Sequence, residues 1–150
     1  MNTRFLSLFA FLFAFTFISA CDSTDVHDDD HDDHAEVEGL MLRANGQTLV
    51  TVDEGEVSGT ITVPVGDETA LILVEFMDHD GDEVHVDEDP DLSLGHVIGD
   101  DSIIEWEQHE GEDYEFHLKG LSAGTTTLVL ELRHGDHADF RTPAITVVVE

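Results

Sequence analysis

The chain has 150 residues, with 35 Asp and Glu against 5 Lys and Arg, for a formal net charge of −30 at pH 7. Such acidity excludes nucleic acid as a partner, because phosphate binding relies on Lys and Arg. A single cysteine excludes a disulfide framework, and the length suffices for one domain with its own core.

Residues 1–20 have the layout of a secretory signal. Met1-Asn2-Thr3-Arg4 carries one positive charge, Phe5 to Ile18 is almost purely apolar, and Ser19 and Ala20 are the small residues of a cleavage site. An apolar run of about 14 residues rises only about 21 Å as a helix, short of the roughly 30 Å hydrocarbon core, which argues against a permanent span. Ile18-Ser19-Ala20-Cys21 fits each position of a lipobox, so the segment resembles a bacterial lipoprotein signal peptide. The resemblance implies acylation of Cys21 and a membrane-attached, cell-envelope protein, periplasmic or cell-surface. An ordinary secreted protein cleaved near Ala20 is the alternative. Several acyl chains on one Cys hold a protein firmly, whereas one chain binds only marginally.

All the acids follow Cys21, accompanied only by Arg43, Lys119, Arg133 and Arg141 as cations. Two readings compete. The charge is either solvent adaptation to high salt, where screening acts over a few ångströms, or a means of concentrating cations.

Residues 21–38 read as a disordered tether, with almost nothing apolar to bury. Its acidic start resembles the surface-export signals of some Bacteroidetes-like lipoproteins, while Asp22 resembles an enteric inner-membrane retention signal. The outer membrane is preferred over the inner. His27, His31 and His34 stand among seven Asp, a donor set suited to zinc, copper or nickel. The tract is loosely similar to the His- and acid-rich segments of periplasmic zinc-transport proteins. Closing such a chain around an ion costs conformational entropy, which predicts weak, unselective binding. A plain solvated spacer is the competing reading.

From Gly39 the texture changes to short β-type runs between turns. The expected strands are 47–52, 57–65, 70–77, 83–86, 92–98, 103–107, 113–118, 125–132 and 144–149. Asp80-Gly81 is a hairpin signal, and the Asp78-His-Asp80-Gly-Asp82 run departs from a calcium loop by placing its Gly fourth. Runs rich in Val, Ile and Thr at this spacing predict an all-β fold. The expected architecture is a single antiparallel β-sandwich of about 8–9 short strands over residues 39–150. Alternation points Tyr114, Phe116 and Leu118 inward with Glu115 and His117 outward. Leu128, Leu130 and Leu132, then Ile145, Val147 and Val149, and finally Ile104 and Trp106, face inward likewise. The stretch from Phe116 to Val149 resembles the closing strands of bacterial immunoglobulin-like sandwiches. A cupredoxin-like sandwich fits the strand pattern too, but its copper site needs a thiolate.

If each run crosses the sandwich once, the turns 66–69, 87–91, 109–113 and 134–137 share one end. The turns 53–56, 78–82, 99–102 and 120–124 then share the other. The first end collects His109, His134 and His137 with Asp87, Glu88, Asp89, Glu110 and Asp136. The run Arg133-His-Gly-Asp-His-Ala-Asp139 turns two imidazoles toward one ion, with His109 or a carboxylate completing a roughly tetrahedral set. A polar hairpin with incidental His is the plain alternative. No Gly-x-Ser-x-Gly elbow, His-Glu-x-x-His helix, phosphate loop or free thiol is present, so no enzyme activity is expected.

The leading expectation is a lipid-anchored envelope protein binding divalent transition metal for buffering, capture or hand-off to a metal transporter or outer-membrane receptor. The competing one is a non-catalytic immunoglobulin-like structural or adhesion module whose acidity is high-salt adaptation.

Overall fold

The computed structural model describes residues 36–150. The signal peptide 1–20, Cys21 and the tether histidines His27, His31 and His34 lie outside the described residues.

Twelve strands follow one another: β1 (Gly39–Ala44), β2 (Gln47–Asp53), β3 (Glu56–Gly59), β4 (Ile61–Val63), β5 (Ile72–Met77) and β6 (Glu83–Val84). After a 3-10 turn at Val86–Glu88 come β7 (Leu92–Ile98), β8 (Ile104–Glu107), β9 (Glu115–Gly120), β10 (Gly124–His134), β11 (His137–Arg141) and β12 (Ile145–Val149). One sheet runs β3-β2-β1-β5-β9-β8, with β6 added to β5. In the other, β7 and β11 pair the same residues of β10 and so take its opposite edges. β12 continues the β11 side, and β4 lies parallel to β12. The orders β1-β5-β9-β8 and β7-β10-β12 are those of the A-B-E-D and C-F-G sheets of an immunoglobulin-like sandwich.

Alternation explains the core. Phe116 and Leu118, Leu128, Leu130 and Leu132, and Ile145, Val147 and Val149 are all buried in one cluster with Leu40, Leu42 and Phe76. Trp106 and Tyr114 are half-buried against it. Cutting a leucine such as Leu130 back to Ala typically costs about 2–5 kcal/mol, by lost transfer energy plus the cavity left behind.

Three strands go beyond the sequence expectation. β1 pairs with β2 across an Asn45-Gly46 turn, both residues at positive φ (52° and 74°), the geometry a two-residue hairpin needs. The expected strand 57–65 divides where the chain leaves β2 and joins β12, giving β3 and β4. β11 is the return arm of the 134–137 hairpin. Packing also begins inside the expected tether, since Val37 is buried and Glu38 donates to the Met77 carbonyl at 2.9 Å.

The extra reversals reassign the turns. The 134–137 hairpin does sit beside the 87–91 segment, where Gly135 N–H donates to the Asp91 carbonyl. The 66–69 turn instead lies against Gly120 at the opposite end, because β4 runs parallel to β12. The 78–82 hairpin projects beyond Met77, on the end of β5 away from its pairing with β9.

Candidate metal centre

The β10–β11 hairpin closes through two residues, Gly135 and Asp136, which sets His134 directly opposite His137. Gly135 supplies the positive φ (57°) that such a turn needs at its first central position. One step further the register slips. Leu132 faces Phe140 while Arg133 faces Ala138, so Asp139 is the extra residue of a β-bulge. Bulges re-aim side chains, and this one buries the Asp139 side chain to 1 % exposure beneath the two imidazoles. Asp139 Oδ1 lies 3.0 Å from His137 Nε2, and Oδ2 lies 3.7 Å from His134 Nδ1. The rings are 5.6 Å apart, tilted by 44°. Asp136, exposed at the tip, approaches His137 Nδ1 at 3.5 Å.

This set has metal-ligand dimensions. Donors about 2.0–2.2 Å from a tetrahedral zinc lie roughly 3.3–3.6 Å apart. One donor atom each from His134, His137 and Asp139 falls within 4.8 Å of the others. Two nitrogens and one oxygen suit zinc, copper or nickel and leave a coordination position open.

His109 does not join this set. It is grouped with Glu112 and His117, the other trio of candidate ligands among the described residues. His109 opens the turn after β8, whereas His134 and His137 flank the β10–β11 hairpin, so sharing one end of the sandwich did not make them neighbours. Asp139, Glu112 and His117 are the candidate ligands that sequence reasoning missed. Asp139 was hidden because a bulge leaves no mark in hydrophobic alternation. His117 was placed on the outer face, but the Thr69 carbonyl it touches arrives from a distant segment.

The four cations of the described residues are all engaged along strands. Arg43 pairs with Glu75, Lys119 with Glu107 and Glu105, and Arg133 and Arg141 converge on Glu131. Asp78 Oδ1 accepts from the N–H groups of Asp80 and Asp82, so this carboxylate closes the β5–β6 hairpin as expected for Asp80-Gly81. An open cleft of about 660 Å³ between residues 87–94 and 108–114 is walled by Asp87, Asp89, Glu110, Glu112 and Asp113. Its field attracts cations to the end that carries the histidines.

No known family model and no curated protein matches the chain. Among solved structures it is similar to domains 4 and 5 of the S-layer protein SbsC, at 15% identity and a TM-score of 0.42. The match covers 73% of this chain and about half (53%) of that one. Nothing in the functional reading rests on that likeness. Among the described residues no helix is long and apolar enough to cross a membrane.

Proposed function

We propose that the protein is a non-catalytic, lipid-anchored component of the cell envelope that captures a divalent transition metal, zinc, copper or nickel, at His134, His137 and Asp139. The observation that carries this reading is the Asp139 carboxylate, buried on a bulge within 3.0 and 3.7 Å of two imidazoles. Two imidazole nitrogens and a carboxylate oxygen gathered this closely are a donor set that a divalent transition-metal ion accepts. Acylated Cys21 holds the domain at the membrane. His27, His31 and His34 add loose ligands that raise the local ion concentration, for buffering or hand-off to a transporter or receptor.

Calorimetric titration with each metal tests this in the wild-type chain, in H134A/H137A and in H27A/H31A/H34A. The reading expects a tight class of sites lost in H134A/H137A and a weak class lost in the tether variant. Absence of saturable binding in the wild-type chain rejects it.

One observation favours a second reading, a structural or adhesion module adapted to high salt. The four cations are consumed in ion pairs, and the acidic excess is spread from Asp53 and Glu54 to Asp136 rather than gathered at the hairpin. That reading expects salt to change stability while transition metals leave it unchanged.

A further inference from the structure

We propose that His109, Glu112 and His117 form a second transition-metal site, at the junction of β8 and β9 and separate from the hairpin site. It stands on its own geometry and does not require the hairpin to bind metal. One donor atom from each residue lies within 4.8 Å of the other two, and the rings of His109 and His117 are 5.7 Å apart.

The stronger argument is the outer support. His117 Nδ1 lies 2.9 Å from the Thr69 carbonyl oxygen. A carbonyl only accepts, so Nδ1 carries a proton, and in the neutral ring Nε2 keeps the lone pair that a metal needs. A ligating histidine is held in this way by a carbonyl or carboxylate on its far nitrogen, which fixes tautomer and ring angle before an ion arrives. Thr69 is itself clamped on β9. Its N–H donates to the Leu118 carbonyl at 2.9 Å, and its Oγ1 accepts from Leu118 N–H at 3.0 Å.

The other two ligands share one closed turn. Glu112 N–H donates to the His109 carbonyl, and Glu112 Oε2 accepts from His109 N–H at 3.0 Å. Gln108 Nε2 donates to the carbonyls of Glu112 and Asp113, which ties the turn to the end of β8. Glu112 therefore has its second oxygen, Oε1, available while the first fixes its direction. Two imidazoles and one carboxylate are a known zinc set that leaves a fourth position for water or an incoming ligand, and copper and nickel accept the same donors. The acidic cleft beside the turn raises the local cation concentration.

The test is a zinc titration of the full chain, ¹⁵N-labelled and held in detergent micelles, followed through the imidazole nitrogen resonances. The expected result is that His109 and His117 shift together, His117 through Nε2 with its Nδ1–H retained, and that H134A/H137A shows the same shifts. H117N keeps a donor for Thr69 and should lose one zinc equivalent with backbone amide dispersion unchanged. E112Q keeps the oxygen that caps His109 and should weaken this site by about tenfold or more, without needing H117N to fold. Resonances of His109 and His117 that stay still while zinc saturates the remaining histidines overturn the second site, as does wild-type stoichiometry in H117N. Shifts at His109 and His117 with none at His134 and His137 reject the hairpin site and leave this one standing.

Discussion

The imidazole of His96 lies flat against the indole of Trp106, with ring centroids 4.1 Å apart and planes 9° apart. Phe116 stacks on the same indole at 4.0 Å and 16°, so the only tryptophan of the chain is held between two rings. Desolvation pushes the His96 pKa below its ordinary value of 6.5. The unfolded chain, lacking this stack, takes up the proton first as the pH falls. The contribution of His96 is therefore present above pH 6.5 and is lost as the pH drops through the lower, folded-state pKa. Urea midpoints measured at pH 7.5 and at successive values below 6.5 should fall in the wild type and fall less in H96Q. Equal pH dependence of the two proteins would exclude the stack as its source.

At alkaline pH the sign reverses. Tyr114, the only tyrosine, donates to the Val86 carbonyl at 3.3 Å, and its pKa is pushed up to about 12. Desolvation is the main cause, followed by the charges of Asp113, Asp87 and Asp89. With a raised folded-state pKa, its stabilisation is complete below pH 10 and is lost as the pH climbs toward 12. Absorbance at the phenolate band should titrate about two units above free tyrosine. Y114F should lose less stability than the wild type between pH 10 and 12, and a phenol titrating near 10 in the folded protein would contradict the burial.

Glu131 is the acceptor for two of the four Lys and Arg cations among the described residues. Its side chain is 10 % exposed, and it meets Arg133 Nη1 at 2.9 Å and Arg141 Nη1 at 3.2 Å. Arg133 reaches it by lying over Gly95, where a Cβ would stand 2.8 Å from its Cδ. E131A leaves two guanidinium groups facing each other without their shared carboxylate. Because both arginines are partly exposed, the expected cost is about 1–2 kcal/mol rather than that of a fully buried pair. The wild-type melting temperature should rise with salt, since screening relieves repulsion among the unpaired acids. E131A should rise more steeply, because salt no longer weakens an attraction to Glu131 and relieves the repulsion between its two guanidinium groups. A salt response of the variant no steeper than the wild type would show that the triad is not a stabilising element.

The sandwich was legible where side chains alternate over long runs. Leu128, Leu130 and Leu132, or Phe116 and Leu118, announce a buried face because the β period is two. β1 carries a weaker signal, because Leu40-Met41-Leu42 are apolar in succession and only the Asn45-Gly46 turn marks a hairpin. The ends of the strands were less readable, since one sheet switch after Gly59 reverses the end on which the 66–69 turn falls. The pairing of His134 with His137 follows from a two-residue turn and was visible in the sequence. The burial of Asp139 depends on a one-residue register slip, and the orientation of His117 depends on Thr69, 48 positions away. Neither a bulge within a hairpin nor a contact between distant segments leaves a mark in hydrophobic alternation.

Asp139 offers the most direct separation of a metal centre from an ordinary polar hairpin. An amide of the same shape fits the same place beside His134 and His137. With the carboxylate acting as a ligand rather than a brace, D139N should lie within about 1 kcal/mol of the wild type in chelator. With zinc the two should separate. A ligand that binds only the folded state stabilises it by about 2.7 kcal/mol at one hundred times its dissociation constant, and the wild type should show an increment of that kind. D139N should forfeit most of the increment contributed by this site, because an amide is neutral and a weaker ligand than a carboxylate. The comparison is best made in an H27A/H31A/H34A/H117N background, where the tether and the second trio contribute nothing. Thermal unfolding in chelator and in saturating zinc measures both halves. An equal zinc increment in wild type and D139N would remove Asp139 from the ligand set. A large loss of stability in chelator alone would show that its task is to hold the hairpin.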